Sequence, residues 1–593
     1  MDNATSPTAE TGGATWRRDL LLLALGFGLL FGFRLGSYPL SGGDDGRNAE
    51  IPREMLASGD WVTPRLNGVN YFEKPPLVYW AVASAQKFFG PSEWSLRAVP
   101  ALFALWGVLI TYGAARKLYG REAGLISALV LGTSLLYFAL GHILILDMAV
   151  SVLMSRALFS FIVGVGEPPP STSSGQAPST GSTGSPLAGS GQAGSPQARR
   201  WLFYKLYVSA ALATLTKGLI GFLIPGAVMF LWLLIFNQWK RLRPFYLPTG
   251  ALLFLAIALP WHVLAAMRNE TWVHRYLVFE HFERFFTDAA SRVQPWYFYI
   301  GVVIAGLIPW IGFLWPAVRD GVRGGWATRK ENATAWFFVT WAGFIFLFFT
   351  KNHSKLIPYI LPVFPALAVL IGAWLAKMLR APDGPARIKG GLRGFSFVCG
   401  LLAVALCVAV SRPTLVKMDL ATALALQVPA YVMALLLLAG GILVPWLAKI
   451  RGVRAALGGI GATMALFFVV LQYAAPNLNK PPTKELALYV KAHVQPGDRV
   501  MHYHEYFHDF SFYAERIVDV VAFKGELELE EDAAARASGR FIDEPAFRRL
   551  WTGPGRIFAV ARTKDLGELF ADPAFHYHLL GKSPDHTLFS NQP

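Results

Sequence analysis

Between two apolar runs, residues 37–94 carry Asp44-Asp45, Tyr71, Glu73-Lys74 and then two prolines. Elsewhere stand Asp147, at the mouth of an apolar run, and Lys217, Arg284, Lys355 and Tyr359. A carboxylate beside several cations at a membrane surface suits displacement from a phosphate leaving group. Positive charge develops at the carbon under attack while negative charge builds on the departing phosphate. Lysine and arginine placed there stabilise the second charge, more strongly where water is scarce. Arginine adds bidentate geometry. Lys74, Arg284 and Lys355 are therefore candidate phosphate ligands, with Lys217 a weaker fourth and Tyr359 a further hydrogen-bond donor. Asp44 is the candidate acidic catalytic residue, acting as general base toward a hydroxyl or orienting an acceptor that is already ionised. Asp147 is costly where it sits and should face a cavity.

Each of these residues has a plainer reading. Asp44-Asp45 could cap a helix, since Asp is a favoured N-cap. Glu73-Lys74 could be a solvated ion pair worth little. Lys217 and Lys355 could snorkel at span ends, and Arg284 could bind lipid headgroups.

The elements that must position these residues follow from composition. Of 593 residues 54% are apolar and 16% charged, against about 45–50% and 25% in soluble domains. That excludes disorder, a coiled coil and a disulfide-stapled secreted domain. Cys399 and Cys407 share one apolar run, so a thiolate zinc site is excluded too. A spanning helix needs about 20 apolar residues. About thirteen stretches qualify, near 18–36, 95–115, 123–141, 145–165, 201–216, 218–236, 247–266, 297–318, 334–350, 356–379, 394–411, 427–447 and 454–474. The expected fold is an all-α polytopic membrane protein with a spanning region over 18–475.

Charge sets direction. With residues 1–17 cytoplasmic, the basic loops at 116–121, 240–243, 319–330, 380–393 and 449–454 all fall on one side, as the positive-inside bias requires. Topology thus accounts for most of the net charge of +16, and nucleic acid loses its support as a partner. The loops 37–94 and 267–296 and the tail face the other side. Helix-compatible spacing over Ala49–Ala57, with Trp61 beside it, and again over Leu77–Phe89, predicts two helices in the membrane interface. Residues 166–199, rich in Pro, Ser, Gly and Ala, read as a flexible cytoplasmic linker. The tail, 476–593, shows a helical pattern over 483–492 and strand-like runs at 499–504, 516–521 and 556–562. It reads as a small α/β domain, a tethered lid or partner-binding module.

Asp44-Asp45 followed by AEIPREMLASGDWVTPRLNG and YFEKPP resembles the first periplasmic loop of the lipid A aminoarabinose transferases. The resemblance continues through LTKG (215–218), EHFERF (280–285) and SKLIPYILP (354–362). That family lies within the polyprenyl-phosphate-dependent membrane glycosyltransferases, which include the protein O-mannosyltransferases. One departure is Asp45, where the family has glutamate. The resemblance implies a GT-C fold with periplasmic interfacial helices, in the bacterial inner membrane. It places a second active-site carboxylate at Asp147, with Asp45, Glu73 and Tyr71 in support. It further implies inverting transfer of 4-amino-4-deoxy-L-arabinose from an undecaprenyl-phosphate carrier to a lipid A phosphate, with resistance to polymyxin and cationic peptides as the outcome.

No cofactor is required for direct displacement. Glu73, His274 and His281 could hold a structural zinc, although their spacing is not a zinc signature. His502, His504 and His508 are expected at the surface. The rival readings are a related transferase with another sugar or acceptor (protein mannosylation, or hexosamine or uronic acid on lipid A), a polyprenyl-lipid transporter, and a membrane-anchored binding protein. A transporter should show inverted repeats and midplane charges; no repeat is evident.

Overall fold

The computed structural model describes residues 11–40, 43–166, 196–242, 245–283, 293–352, 354–478, 483–523 and 533–593. Every stretch read as a span is helical. Eight helices are long and apolar enough to cross a bilayer alone: Glu93–Tyr119, Leu146–Gly166, Leu247–Arg268, Ala333–Lys351, Ile357–Met378, Gly384–Ser411, Leu420–Ile450 and Val453–Leu478. The pair Phe298–Gly306 and Ile311–Gly321 makes a ninth, bent by 105° where Pro309 cannot donate. The expected span at 123–141 is also broken, into Arg121–Gly132 and Leu135–Leu140. The two breaks satisfy one another. Leu135 N donates to Ile308 O at 3.0 Å, and Trp310 Nε1 donates to the Thr133 hydroxyl at 2.9 Å. Broken helices persist in bundles only when such groups find partners.

Helix Leu146–Gly166 is almost wholly buried and forms the centre of the bundle. Gly384–Ser411 and Leu420–Ile450 instead expose Phe397, Leu401, Val428 and Leu435, as lipid-facing helices do. Glu122 pairs with both Arg380 (3.1 Å) and Arg454 (2.5 Å). That gathers three of the basic loops at one end of the bundle. The linker reading at 166–199 falls mostly outside the described residues, though its end, from Pro196 onward, is already helix.

At the opposite end the first loop forms helix Asp44–Ser58, a two-stranded turn (Arg65–Leu66 with Val69–Asn70) and helix Leu77–Phe89. The first helix starts five residues before its expected Ala49. Its N-cap is Gly43 at φ 81°, and no side chain caps it, so the capping reading of Asp44-Asp45 fails. Asp45 is buried with the wholly buried Arg97 at 2.7 Å. It also accepts from Leu144 N at 2.9 Å. Arg97 in turn donates to the carbonyls of Leu35, Tyr38 and Pro39. This paired charge ties the exit of the first helix to the segment leading into Asp147.

The tail is a six-stranded sheet in the order 541–542, 519–521, 499–503, 557–562, 586–590, 578–582. Its first four strands are parallel and the last two form an antiparallel hairpin. It docks on the first loop. Helix His508–Ala514 lies across helix Asp44–Ser58, with Gly46 so close that a Cβ there would sit 2.9 Å from Asp509 N. Asn67 exchanges hydrogen bonds with Val518 N and O, both 3.0 Å. Tyr513 Oη accepts from Leu40 N at 2.7 Å and donates to Glu93 at 2.9 Å. The surface expectation for the histidines is overturned for His502, which is fully buried. It lies on a central strand packed against Tyr506, Phe507 and Phe510, so alternation along the strand does not bring it to water.

Candidate active site

Above the central helix, at the first-loop end, lies a cavity of about 210 Å³. Asp44, Arg47, Tyr71, Glu73 and Lys74 line it from the first loop, and Asp147 from the start of helix Leu146–Gly166. Lys217 enters from the end of helix Pro196–Lys217, Glu280 from the segment Val273–Glu283, and Asn352, Ser354 and Tyr359 from the connection after Lys351. Ile220, Leu146, Phe348 and Phe349 give it an apolar flank. Residues more than three hundred positions apart thus meet at one surface.

The charges interlock. Asp44 is half exposed and pairs with Arg47, one helical turn on. Arg47 stands over the Tyr71 ring, 5.9 Å from its centroid. Lys74 lies between two carboxylates, 3.9 Å from Glu73 and 3.2 Å from Glu280. Glu280 is 3% exposed and Lys74 26%, so the lysine remains open to a ligand. Asp147 pairs with Lys217, whose ammonium stands 4.4 Å from the centre of the Tyr359 ring. Burial pushes the Tyr71 phenol up, with the Glu73 carboxylate adding to the shift. Tyr71 is thus held as a neutral hydrogen-bonding group.

Of the expected residues, Asp44, Tyr71, Glu73, Lys74, Asp147, Lys217 and Tyr359 come together here. Five lie elsewhere or outside what is described. Asp45 faces away, into its pair with Arg97. Lys355 does not line the cavity; it is buried and donates to Gln294 O at 3.0 Å, while its neighbours Ser354 and Leu356 do. Arg284 lies outside the described residues, as does the side chain of His281. His274 is exposed on its helix, and Glu73 lies beside Lys74. Among the described residues, no three His, Cys, Asp or Glu side chains cluster as metal ligands do. Arg47, Tyr79 and Asn352 were missed. For Arg47 the signal was there: a cation three residues after Asp44 shares its face once the helix starts at Asp44.

A broken-helix bundle, interfacial helices in the first loop and a charged cavity beneath a docked α/β domain define a multi-pass membrane protein of the GT-C fold. Residues 73–170 match the family model described as dolichyl-phosphate-mannose-protein mannosyltransferase. The crystal structure of ArnT from Cupriavidus metallidurans bound to undecaprenyl phosphate superposes with a TM-score of 0.82. It is 26% identical, covering 96% of this chain and 97% of that one. The undecaprenyl phosphate-alpha-4-amino-4-deoxy-L-arabinose arabinosyl transferase of Edwardsiella ictaluri is 31% identical over 368 residues, 62% of this chain and 61% of that protein. Its namesake from Aeromonas salmonicida is 30% identical over 389 residues, 64% of this chain and 65% of that one. The alignment of the chain spans just over three-fifths of the length of these two curated relatives.

Proposed function

We propose that the protein is an inverting glycosyltransferase. It moves an amino-arabinose-type sugar from an undecaprenyl-phosphate carrier to a phosphate of lipid A, at the periplasmic face of the inner membrane. The observation that carries this reading is the cavity that gathers Asp44, Arg47, Lys74, Asp147, Lys217 and Tyr359 around one space.

An oxygen of the acceptor phosphate forms a bond to the sugar's anomeric carbon as the bond from that carbon to the carrier oxygen breaks. A single displacement inverts the centre, so no carboxylate need form a covalent intermediate. The departing carrier phosphate carries the electron pair, and Lys74 and Lys217 stand where it can be stabilised. Loss of one such group in a water-poor site costs about 10²–10³ in rate. Asp44, half exposed and steered by Arg47, orients the acceptor and the sugar, and takes a proton when the acceptor arrives protonated. Asp147 fixes the Lys217 ammonium. The apolar flank at Ile220, Phe348 and Phe349 leaves a path for the polyprenyl tail into the bundle. The displacement itself calls for no cofactor.

Purified protein given defined carrier-linked sugars and lipid A should transfer the amino-arabinose residue. Asp44→Ala and Lys74→Ala should abolish transfer while leaving folded protein. Near wild-type transfer by both variants would refute the site, and preference for another sugar or a peptide acceptor would move the assignment within the class. Cysteine labelling that placed the Asp44 segment in the cytosol would refute the periplasmic orientation.

A further inference from the structure

Far from this cavity, the bundle holds two cations that the proposed reaction does not use. Helices Leu146–Gly166 and Pro196–Lys217 pack along their length, antiparallel, with Asp147 and Lys217 joined at the cavity end. Counting down from that pair at about 1.5 Å per residue, Arg156 lies roughly 13 Å deeper and Lys205 roughly 18 Å deeper. Both fall inside a hydrocarbon layer about 30 Å thick. Arg156 is partly buried and Lys205 exposed on the bundle's flank.

Among the described residues, neither head group has a hydrogen bond or an ion pair. Lys205 instead lies within electrostatic reach of two further cations, Arg156 and Lys117. Lys117 stands two residues from the end of helix Glu93–Tyr119, at the face away from the cavity. The three form a ladder from that face inward. An intramembrane cation is normally paired with an acid or a carbonyl, or faces a cavity. Arginine cannot escape the cost by losing its proton. Arg156 and Lys205, the latter exposed on the flank, therefore call for an anion supplied from outside the chain.

We propose that the seam between helices Leu146–Gly166 and Pro196–Lys217 binds the phosphate of an anionic phospholipid through Arg156 and Lys205. The lipid belongs to the leaflet away from the cavity. Its phosphate lies near Lys205, toward which the long lysine and arginine stems can snorkel, and its acyl chains lie against the exposed apolar flank. Basic pockets between spanning helices recognise lipid headgroups in this way. The site is independent of the reaction proposed above.

The test is native mass spectrometry of the full chain released from discs of mixed phosphatidylglycerol and phosphatidylcholine. The wild type should retain phosphatidylglycerol in preference. The double variant Arg156→Gln, Lys205→Gln should retain it about thirty-fold less, from two cations each contributing about a five-fold factor. Arg156→Lys, which keeps the charge, should retain it. Equal retention by wild type and double variant would overturn the proposal. If the double variant does not fold, the wild type decides: no preference over phosphatidylcholine would overturn it equally. Excess inorganic phosphate should leave the lipid in place, since the acyl chains hold it; displacement by phosphate would refute a lipid site.

Discussion

The two neighbouring aspartates of the first loop should fail in opposite ways. Asp45 is 4% exposed and Arg97 wholly buried, 2.7 Å apart. Asp45→Asn keeps the shape and one hydrogen bond but strands the guanidinium without its counter-charge. Breaking a buried pair by removing one partner costs about 3–5 kcal/mol. The carbonyls of Leu35, Tyr38 and Pro39 still bond the guanidinium, so the lower end of that range is expected. Asp44→Asn loses an exposed ion pair worth about 1 kcal/mol or less. Thermal unfolding in one detergent, read by tryptophan fluorescence, should show Tm several degrees lower for Asp45→Asn and nearly unchanged for Asp44→Asn. Transfer assayed below both transitions should give the reverse order, with Asp44→Asn the more damaged. Equal Tm values would refute the division of labour; so would an active Asp44→Asn beside a stable but inactive Asp45→Asn.

Gly46→Ala would drive a methyl to 2.9 Å from Asp509 N and 3.2 Å from the His508 Cβ. Overpacking against backbone costs about 1–3 kcal/mol, so limited proteolysis should release the tail domain faster from this variant, and an unchanged rate would refute the tight dock. Burial holds the His508 imidazole down to about 3 from its usual 6.5, so the unfolded chain binds the extra proton between those values. The stability His508 contributes is full above pH 6.5 and falls on acidification by up to about 1.4 kcal/mol per pH unit. Asp509, pushed up to about 6 by burial, works in the opposite sense, so the comparison is with His508→Gln: its Tm should fall less steeply between pH 6.5 and 4, and parallel profiles would refute the assignment. Lys217→Ala should lower transfer about 10²–10³-fold with a smaller effect on Tm; a loss confined to Tm would make Lys217 structural.

The spans were legible because bilayer thickness leaves one solution for a long apolar run. Their breaks were not. Nothing local to Thr133-Ser134 announces that Ile308 O will meet the freed donor of Leu135. The interfacial helix at Leu77–Phe89 matches its expected limits, whereas the one at Asp44–Ser58 begins earlier than its apolar spacing shows. Its first turn is polar and is held by contacts with Arg97, 52 residues beyond Asp45, and with the tail, hundreds of residues away. That early start hid Arg47. In the tail, three strands could be read from their β-branched runs. The closing hairpin at 578–590 could not, because a register shift between Leu579 and Gly581 breaks the alternation of its first strand. Lys355 shows the limit of charge as a guide: a lysine inside a family motif faces a backbone carbonyl, while its neighbours Ser354 and Leu356 line the cavity.

The hydrogen bond from Leu40 N to Tyr513 Oη joins groups 473 residues apart, and it closes on the loop that carries Asp44. Synthesis runs from the amino end, so this loop emerges and inserts long before the chain that will cover it exists. The loop therefore waits for its last partner until the tail is made, while every residue that lines the cavity, up to Tyr359, has already left the ribosome.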